Sequence, residues 1–442
     1  MILPIALLAL PLSSGDVAWP SFRGPQGNGL VDAHPLSWSE ESNVAWKVDV
    51  PGGGWSSPVV ADGVVYVTTA IQTDKEDGGR PLGFAASVRM PASRGAGADA
   101  PEGEVVFQVR AYSLETGELK WEKDLARRVP KHGIHPSNTF ATESPATDGE
   151  RVVCYFGAIG LVACVDLKGE VVWSKETGEH KTGNDFGTGS AVALADGKAF
   201  IQCDNAESSF AAAFNVADGE EIWRVDRSTG TAWASPILWQ HGDVRDLVMC
   251  GPGYVTGYDP ATGDVRWNVT GVGGSFSSSP GSDDERLIFG NSGPGRRGPL
   301  FAISSNVEGE VDLGDDESQH DALAWRLGRA GPAFSSPVSV GGLLYIVNGQ
   351  GILTCRDVAT GDELYEERLP DARSVVSSMW TDGEHVFVLA EGGQTYVIAV
   401  SPEFEVVETN AVDGIFWSTP SAANGSLLLR SATSLYCVRD KG

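Results

Sequence analysis

Seven aromatic residues stand a few positions before a repeated Ser-Pro or related step, where they could contact a ligand. They are Trp55, Phe140, Phe186, Trp233, Phe276, Phe334 and Trp417. Polar residues near them in the sequence are His135, Asn138, Glu143, Asn184, Asp185, Asp204 and Asn205. Aromatic faces supply contact area, and amides and carboxylates orient a bound group by hydrogen bonds. The combination predicts a surface that binds a peptide, a glycan or a small planar molecule; the alternative is that the aromatics only pack between structural units.

The other candidates for chemistry do not form a recognised set. His132 and His135 lie in the stretch HGIH without partners at zinc-binding spacing, and we interpret them as part of a polar loop. Residues 312–321, DLGDDESQHD, lack the alternating ligands and central glycine of a calcium loop, which favours a solvated insertion. No phosphate-binding loop, G-x-S-x-G or H-E-x-x-H motif occurs. We therefore predict neither catalytic residues nor a metal site.

An internal repeat must position these residues. A small hydroxyl residue, usually followed by Pro, an apolar run and a turn such as Asp-Gly, recurs eight times, mostly at intervals of about 40–47 residues. The repeated residues are Ser57, Ser144, Ser190, Ser235, Ser279, Ser336, Ser378 and Thr419. This length is typical of a four-stranded propeller blade. Two longer intervals contain insertions at 71–104 and 306–320, which we predict to be loops.

A second pattern lies in the later half of most units, where an aromatic residue follows the glycine of a tight turn by four positions. The aromatics of this series are Trp46, Trp121, Trp173, Trp223, Trp267, Trp325 and Tyr365. Asp, Asn and Thr favour such turns, and Gly accepts the positive φ at their end. The aromatic therefore has a fixed place on the outgoing strand. Repeated radially, these rings are expected to cover the flank of the neighbouring blade.

The ends of the chain are predicted to close the ring. The eighth unit stops at LYCVRDKG, before its outer strand, whereas SNVAWKVDV near the N-terminus matches an outer strand and precedes the first unit. An N-terminal strand that completes the last blade removes the open sheet edges. We predict an all-β fold over residues 19–442, an eight-bladed β-propeller of four-stranded antiparallel blades.

Composition limits the partners and the compartment. The chain of 442 residues has 59 acidic and 32 basic residues and a formal net charge of -27. Such a surface repels phosphate groups, so we expect no nucleic acid partner. Residues 1–18 form an apolar run followed by small residues, which predicts an export signal, and no later run is long enough to span a bilayer. We expect an exported, periplasmic or extracellular monomer.

The six cysteines give one structural hypothesis. Cys154 and Cys164 flank YFGAIGLVA almost symmetrically, which would place them on facing strands of one hairpin. An exported protein can form disulfides, so a Cys154–Cys164 bond is one interpretation. The other is two small buried thiols. Cys164, Cys355 and Cys437 share one repeat position and are predicted to be packing residues.

The repeated D-x-x-T-G-x-x-x-W hairpin resembles the tryptophan-docking repeat of pyrroloquinoline quinone (PQQ)-type eight-bladed propellers. The stretch WPSFRGPQGNG at residues 19–29 also resembles exported PQQ-like repeat proteins of planctomycete-type bacteria. This family includes quinoprotein dehydrogenases, the outer-membrane assembly factor BamB and many proteins of unassigned role. The resemblance implies the propeller fold and leaves two functions open.

An enzyme of this family would hold PQQ and calcium and typically carries two adjacent cysteines beside the cofactor. The chain has no Cys-Cys pair, no C-x-x-C-H motif and no recognisable Glu, Asn and Asp set at the family's ligand positions. We therefore expect no cofactor and a non-catalytic binding or scaffold protein, with a protein, peptide or glycan partner, in envelope-associated assembly. The alternative is a PQQ-dependent dehydrogenase that oxidises an alcohol or a sugar.

Overall fold

The computed structural model describes residues 19–32, 34–83, 97, 99–293, 297–314 and 320–440. In this part of the chain, 33 strands form eight sheets, and two single-turn 3-10 helices lie at Gly157–Ile159 and Gly183–Asp185. No helix among these residues is long and apolar enough to cross a membrane. The predicted export signal, residues 1–18, lies outside the described residues. The all-β prediction is confirmed.

Each sheet is one blade, and we number the blades 1 to 8 around the ring. Blade 1 contains β2 (Val59–Ala61), β3 (Val64–Gln72), β4 (Val105–Ser113) and β5 (Leu119–Arg128). Blade 2 contains β6 (Ala146–Thr147), β7 (Arg151–Phe156), β8 (Leu161–Asp166) and β9 (Val171–Glu176). Blade 3 contains β10 (Ala193–Ala195), β11 (Lys198–Cys203), β12 (Phe210–Asn215) and β13 (Glu221–Asp226). Blade 4 contains β14 (Ile237–His241), β15 (Val244–Gly251), β16 (Tyr254–Tyr258) and β17 (Val265–Thr270).

The second half of the ring repeats this order. Blade 5 contains β18 (Gly281–Ser282), β19 (Arg286–Gly290), β20 (Leu300–Ser304) and β22 (Leu323–Leu327). Blade 6 contains β23 (Val338–Val340), β24 (Leu343–Val347), β25 (Ile352–Asp357) and β26 (Glu363–Arg368). Blade 7 contains β27 (Trp380–Thr381), β28 (His385–Leu389), β29 (Gln394–Ala399) and β30 (Val406–Ala411). Blade 8 contains β31 (Ser421–Ala423), β32 (Ser426–Arg430), β33 (Ser434–Val438) and β1 (Val44–Asp49).

The N-terminal strand closes the ring, as the sequence predicts. β1 pairs antiparallel with β33, and Trp46 is opposite Cys437. Arg430 of β32 reinforces the adjoining seam with blade 1, because its guanidinium donates to the carbonyl oxygens of Ser56 and Thr68. Strand pairing therefore completes the last blade, and a buried side chain holds that blade to the first.

The repeated hydroxyl residue joins six of the eight neighbouring blade pairs near the channel axis. Its backbone N–H donates to the hydroxyl oxygen of the equivalent residue in the following blade. These bonds run from Ser57 to Ser144 (2.8 Å), Ser235 to Ser279 (2.8 Å), Ser279 to Ser336 (3.1 Å), Ser336 to Ser378 (3.0 Å) and Ser378 to Thr419 (2.9 Å). Between blades 3 and 4 the donor shifts by one residue, from Ala191 to Ser235. The residues that mark the repeat in the sequence are thus the ones that bond the ring together.

The second aromatic series joins the blades at a larger radius. The indole Nε1 of most of these tryptophans donates to a backbone carbonyl in the turn of the next blade, and the ring lies against that turn's glycine. The bonds are Trp46 to Leu114 (2.9 Å), Trp121 to Leu167 (2.9 Å), Trp173 to Val216 (2.8 Å), Trp223 to Pro260 (3.3 Å) and Trp325 to Val358 (3.0 Å). A Cβ on Gly219 would lie 2.5 Å from the Trp173 ring, so the contact requires glycine. Tyr365 packs on Phe404 of blade 7, with ring centroids 5.5 Å apart.

Trp267 and the second insertion depart from the repeat. The Trp267 indole N–H donates to the Asp246 carboxylate of its own blade at 2.7 Å, because the turn that would receive it in blade 5 is displaced. Part of the insertion forms β21 (Gly309–Asp312), which pairs parallel with β17 as a fifth strand of blade 4. The prediction of a loop over 306–320 is therefore wrong for these four residues. The first insertion likewise begins inside a strand, since β3 extends to Gln72.

The disulfide hypothesis is wrong. In the β7–β8 pair, Cys154 is opposite Ala163 and Cys164 is opposite Val153. Facing residues of an antiparallel pair share one face and alternate along the strand, so the two thiols point to opposite faces. Both cysteines are free and fully buried, which agrees with the second interpretation from the sequence.

Residues 19–31 cross the channel at one end. The opposite end is formed by the loops that carry the aromatic residues preceding each inner strand. Residues 19–31 form backbone bonds to the inner strands of blades 1, 2 and 7, through Trp19 with Val60, Pro20 with Thr147, and Gly29 and Val31 with Thr381. Arg23 is fully buried and donates to the carbonyl oxygens of Pro280 (3.0 Å) and Pro337 (2.7 Å) in blades 5 and 6. Burial lowers the pKa of Arg23 to about 9. This N-terminal segment closes one end of the channel.

Replacing Ser279 by Ala should destabilise the ring, because the buried N–H of Ser235 would lose its acceptor. We expect a loss of about 1–3 kcal/mol in the free energy of unfolding, measured by chemical denaturation. Ser190 is the matched control. It has the same repeat position and similar burial, but its hydroxyl has no hydrogen-bond partner among the described residues. Ser190→Ala should change stability by less than about 0.5 kcal/mol; equal losses in the two variants would contradict the role of the hydroxyl bond.

Candidate functional site

The seven aromatics that the sequence singles out lie in the segments that enter the inner strands, around the channel end opposite residues 19–31. Three of them are buried packing residues: Trp55, Phe140 and Phe276. Four are only partly buried: Phe186, Trp233, Phe334 and Trp417. The packing alternative therefore describes the first group, and the second group borders the channel mouth.

Phe186 and Trp233 are neighbours on the side of blades 2 to 4. Their ring centroids are 6.3 Å apart, and the His135 ring meets Phe186 edge-on at 5.1 Å. The Trp233 indole donates to the carbonyl oxygen of Gly187 at 2.7 Å, which fixes the ring in place. We call His135, Phe186 and Trp233 the mouth cluster. It presents aromatic surface on a rigid backbone.

Trp55 and Trp417 form a second aromatic contact, at the seam between blades 8 and 1. Their rings stack with centroids 5.6 Å apart and an interplanar angle of 17°. Trp55 donates to the carbonyl oxygen of Ser137 at 2.8 Å, and Trp417 donates to the Glu391 carboxylate at 2.6 Å. Sequence reasoning missed Glu391, because it lies in a turn of blade 7 that carries no repeated motif.

The amide and carboxylate residues predicted near the mouth mostly stabilise the loops. Asn138 donates to the carbonyl oxygens of Phe186 (2.7 Å) and Thr188 (3.1 Å), so it ties the loop before blade 2 to the loop before blade 3. Asp185 forms an ion pair with Lys181 at 3.4 Å. These residues position the mouth cluster, and Asn184 beside them is exposed.

Asp204 and Asn205 are enclosed in the protein. The Asp204 carboxylate forms a fully buried ion pair with Arg227 at 2.8 Å and accepts a bond from Gln202. The attraction of Asp204 raises the pKa of Arg227 despite its burial. Asn205 bonds to the backbone of its own turn, through Cys203 and Ser208. Neither side chain lines the mouth, which corrects their place in the predicted surface.

Glu143 is a buried carboxyl group near the base of the mouth. Its Oε1 accepts from the Gly157 backbone N–H at 3.1 Å and from the Thr188 hydroxyl, whereas Oε2 is buried and has no partner among the residues that the structure describes. Desolvation raises the pKa of Glu143 to about 7. The group therefore changes its charge near neutral pH, although only 1% of the residue is exposed.

Two described residues of the first insertion, Gly83 and Gly97, also lie at the mouth. Gly83 lies beside Glu391 and Ile415 of blades 7 and 8, where a Cβ would come within 3.2 Å of the carboxylate. The Gly97 backbone N–H donates to the carbonyl oxygen of Asn184 at 2.6 Å, next to blade 3. The described parts of the insertion thus reach two different sides of the mouth.

PQQ with calcium would need several oxygen ligands that converge beside an aromatic ring. The carboxylates of Asp185 and Glu391 at the mouth are instead engaged with Lys181 and the Trp417 indole. Among the described residues, no three His, Cys, Asp or Glu side chains are grouped to hold a metal. The residues in this part of the chain therefore do not fit the PQQ and calcium set.

Replacing Glu143 by Gln should stabilise the protein at neutral and alkaline pH. Between pH 4.5 and about 7 the folded state retains a proton that the unfolded state has released, since the folded pKa is the higher one. The stability from this proton is complete below pH 4.5 and is lost as the pH rises through 7. We expect the variant to gain up to about 3 kcal/mol over the wild type above pH 7.

Chemical denaturation of both proteins from pH 4 to 8 measures this difference. Glu150→Gln, which changes an exposed carboxylate, is the control and should give a small, nearly constant difference. A Glu143→Gln difference that does not change with pH would contradict ionisation of the buried group as the cause.

The family described as outer membrane protein assembly factor BamB matches residues 105–279 and 308–414. The outer membrane protein assembly factor BamB of Yersinia pestis is 28% identical over 158 residues. This match covers 33% of the present chain and 39% of the relative. The chain thus spans well under half the length of this curated relative.

Solved structures of two functional types share the fold. BamB from Moraxella catarrhalis has a TM-score of 0.53 and 13% identity, and the match covers 84% of this chain and 98% of that one. Quinohemoprotein alcohol dehydrogenase from Comamonas testosteroni has a TM-score of 0.59 and 13% identity, with 96% and 81% covered. Identities this low show the fold alone. The family match, by contrast, includes more than half of the residues, and the chain belongs to the family of the outer membrane protein assembly factor BamB.

Proposed function

We propose that this protein is an exported, non-catalytic scaffold that holds a protein or peptide partner at the channel mouth during envelope-associated assembly. The observation that carries the proposal is the partly exposed pair Phe186 and Trp233 at the one channel end that residues 19–31 do not close. Aromatic side chains held on a rigid frame lose little conformational entropy on binding, and they dominate many protein interfaces.

Family membership supports the assembly role. The matching family and the Yersinia pestis relative are both described as outer membrane protein assembly factors. Because the relative is matched over only 39% of its length, its role comes to this chain as part of the proposal. Export and a monomeric state belong to the same proposal.

The chemistry of the mouth favours a scaffold over the dehydrogenase alternative. Its carboxylates are used to hold loops, as with Asp185 and Lys181, or are enclosed, as with Glu143. A general base for alcohol oxidation must reach the substrate, and a calcium ion must reach several carboxylates at once. The described residues offer aromatic contact area without such a convergent acidic set.

The double variant Phe186→Ala/Trp233→Ala should lose partner binding and keep the fold. We expect the wild-type protein to retain specific proteins from an envelope extract, and the double variant to retain at least tenfold less, as quantified by mass spectrometry. Val171→Ala/Leu364→Ala is the matched control, since both residues are exposed apolar side chains on outer strands, and it should bind as the wild type does.

Two results would overturn the scaffold proposal. One is equal retention by the wild type and the mouth variant when thermal unfolding shows both to be folded. The other is stoichiometric binding of added PQQ and calcium together with alcohol- or sugar-dependent dye reduction, which would establish the dehydrogenase alternative.

A further inference from the structure

A second polar cleft lies between blades 5 and 6, apart from the mouth cluster. Its enclosed volume is about 10 Å³ and the rest of the cleft is open to solvent; its lining includes Arg297, Ile346, Asn348, Ile352, Thr354 and Arg356. Arg297 comes from a loop of blade 5, whereas the other five come from β24, β25 and the turn between them. An enclosed volume of this size holds about one water-sized atom, so the cleft suits a single oxygen of a small group whose other atoms stay in solvent.

Arg356 is exceptional for its place in the repeat. The third strands of blades 1 to 7 each have a bulge against the fourth strand. The residue after the bulge is buried in every one of these blades. In the other six blades it is Tyr112, Val165, Phe214, Tyr258, Ile303 or Ile398, and all of these are apolar or aromatic. Blade 6 places a charged guanidinium there instead. The substitution introduces buried hydrogen-bond donors into a position that the fold does not require to be polar.

The guanidinium of Arg356 is only partly satisfied by the protein. Its Nη1 donates to the carbonyl oxygen of Gly361 at 2.9 Å, and its Nη2 donates to the Glu363 carboxylate at 2.7 Å. Its Nε is buried and has no partner within the described residues, and only 8% of the residue is exposed. A buried N–H without an acceptor is unfavourable, so this donor favours an acceptor group in the cleft.

Other donors face the same cleft. Arg297 reaches across from blade 5 and binds the Glu366 carboxylate through Nη1 at 2.5 Å, while 35% of its side chain stays exposed. The Oδ1 of Asn348 accepts hydrogen bonds from the backbone N–H groups of Gln350 and Ile352. Its Nδ2 is a further donor. The cleft thus combines two guanidinium groups and an amide.

We propose that this cleft binds an oxyanion, the carboxylate or phosphate group of a small molecule or peptide, between Arg297 and Arg356. Guanidinium groups form strong, directional bonds to such oxygens. Glu363 and Glu366 hold the two arginines in place through one nitrogen each and leave further N–H groups for the ligand. The side chains of Ile346 and Ile352 border the cleft and offer apolar contact to atoms of the ligand next to its anionic group.

Thermal unfolding with inorganic phosphate or acetate, compared with sodium chloride at equal ionic strength, tests the proposal. Phosphate or acetate should raise the midpoint of the wild type by several degrees beyond chloride. Arg356→Met, which restores an apolar residue like those of the other blades, should lose the response. Titration with two otherwise identical peptides, one ending in a free carboxylate and one amidated, then distinguishes a peptide ligand from a free anion.

Arg329→Met is the matched control, because Arg329 is exposed in the connection between β22 and β23 and does not line the cleft. It should respond like the wild type. Arg297→Gln, at a partly exposed position, provides a second test if Arg356→Met does not fold, and should weaken anion binding at least tenfold. The proposal is overturned by the absence of an anion-specific shift in the wild type, or by an unchanged shift in a folded Arg356 or Arg297 variant. Neither result bears on partner binding at the mouth cluster, which the Phe186 and Trp233 variants test separately.

Discussion

The bond from a backbone N–H in one blade to a serine or threonine hydroxyl in the next is the contact on which this ring depends. It recurs close to the axis, where the short inner strands cannot bury much apolar area by themselves. Further out, the indole of a tryptophan such as Trp173 repeats the same principle with a carbonyl acceptor. Two polar contacts at different radii fix the angle between blades, and apolar packing fills the space between them.

The regions with functional interest are those that depart from this regular pattern. The mouth cluster arises because the connections into blades 3 and 4 present Phe186 and Trp233 where blade 5 presents the fully buried Phe276. The oxyanion cleft arises because one bulge position holds Arg356 in place of an apolar residue. A repeat fold is stable enough to tolerate a different residue at one repeat position. Each such difference gives one blade a contact or hydrogen-bonding group that the others lack.

The sequence predicts the ring well because its signals are local and repeated. Each blade has its own hydroxyl residue, and most also have the turn and the docked aromatic, so many copies support the same conclusion. Predictions that depend on strand register or on contacts distant in sequence are less successful. Cys154 and Cys164 look symmetric about their turn, yet the register places them on opposite faces. From the sequence Asp204 could face a ligand, but in the structure its carboxylate forms an ion pair with Arg227. The sequence around Arg23 likewise does not show that its side chain bonds to Pro280 and Pro337.

Closure by the N-terminal strand has a consequence for the order of folding. β1 can pair only with β33, so the first blade-forming strand to be synthesised must wait for the last one. Blades 1, 2, 3, 6 and 7 consist of consecutive strands and can form early, whereas the final pairing closes a loop that includes nearly the whole chain. Until then blade 8 lacks its outer strand, and its exposed edge can pair with another chain. The slowest step in folding should therefore be the one that protects the protein from aggregation.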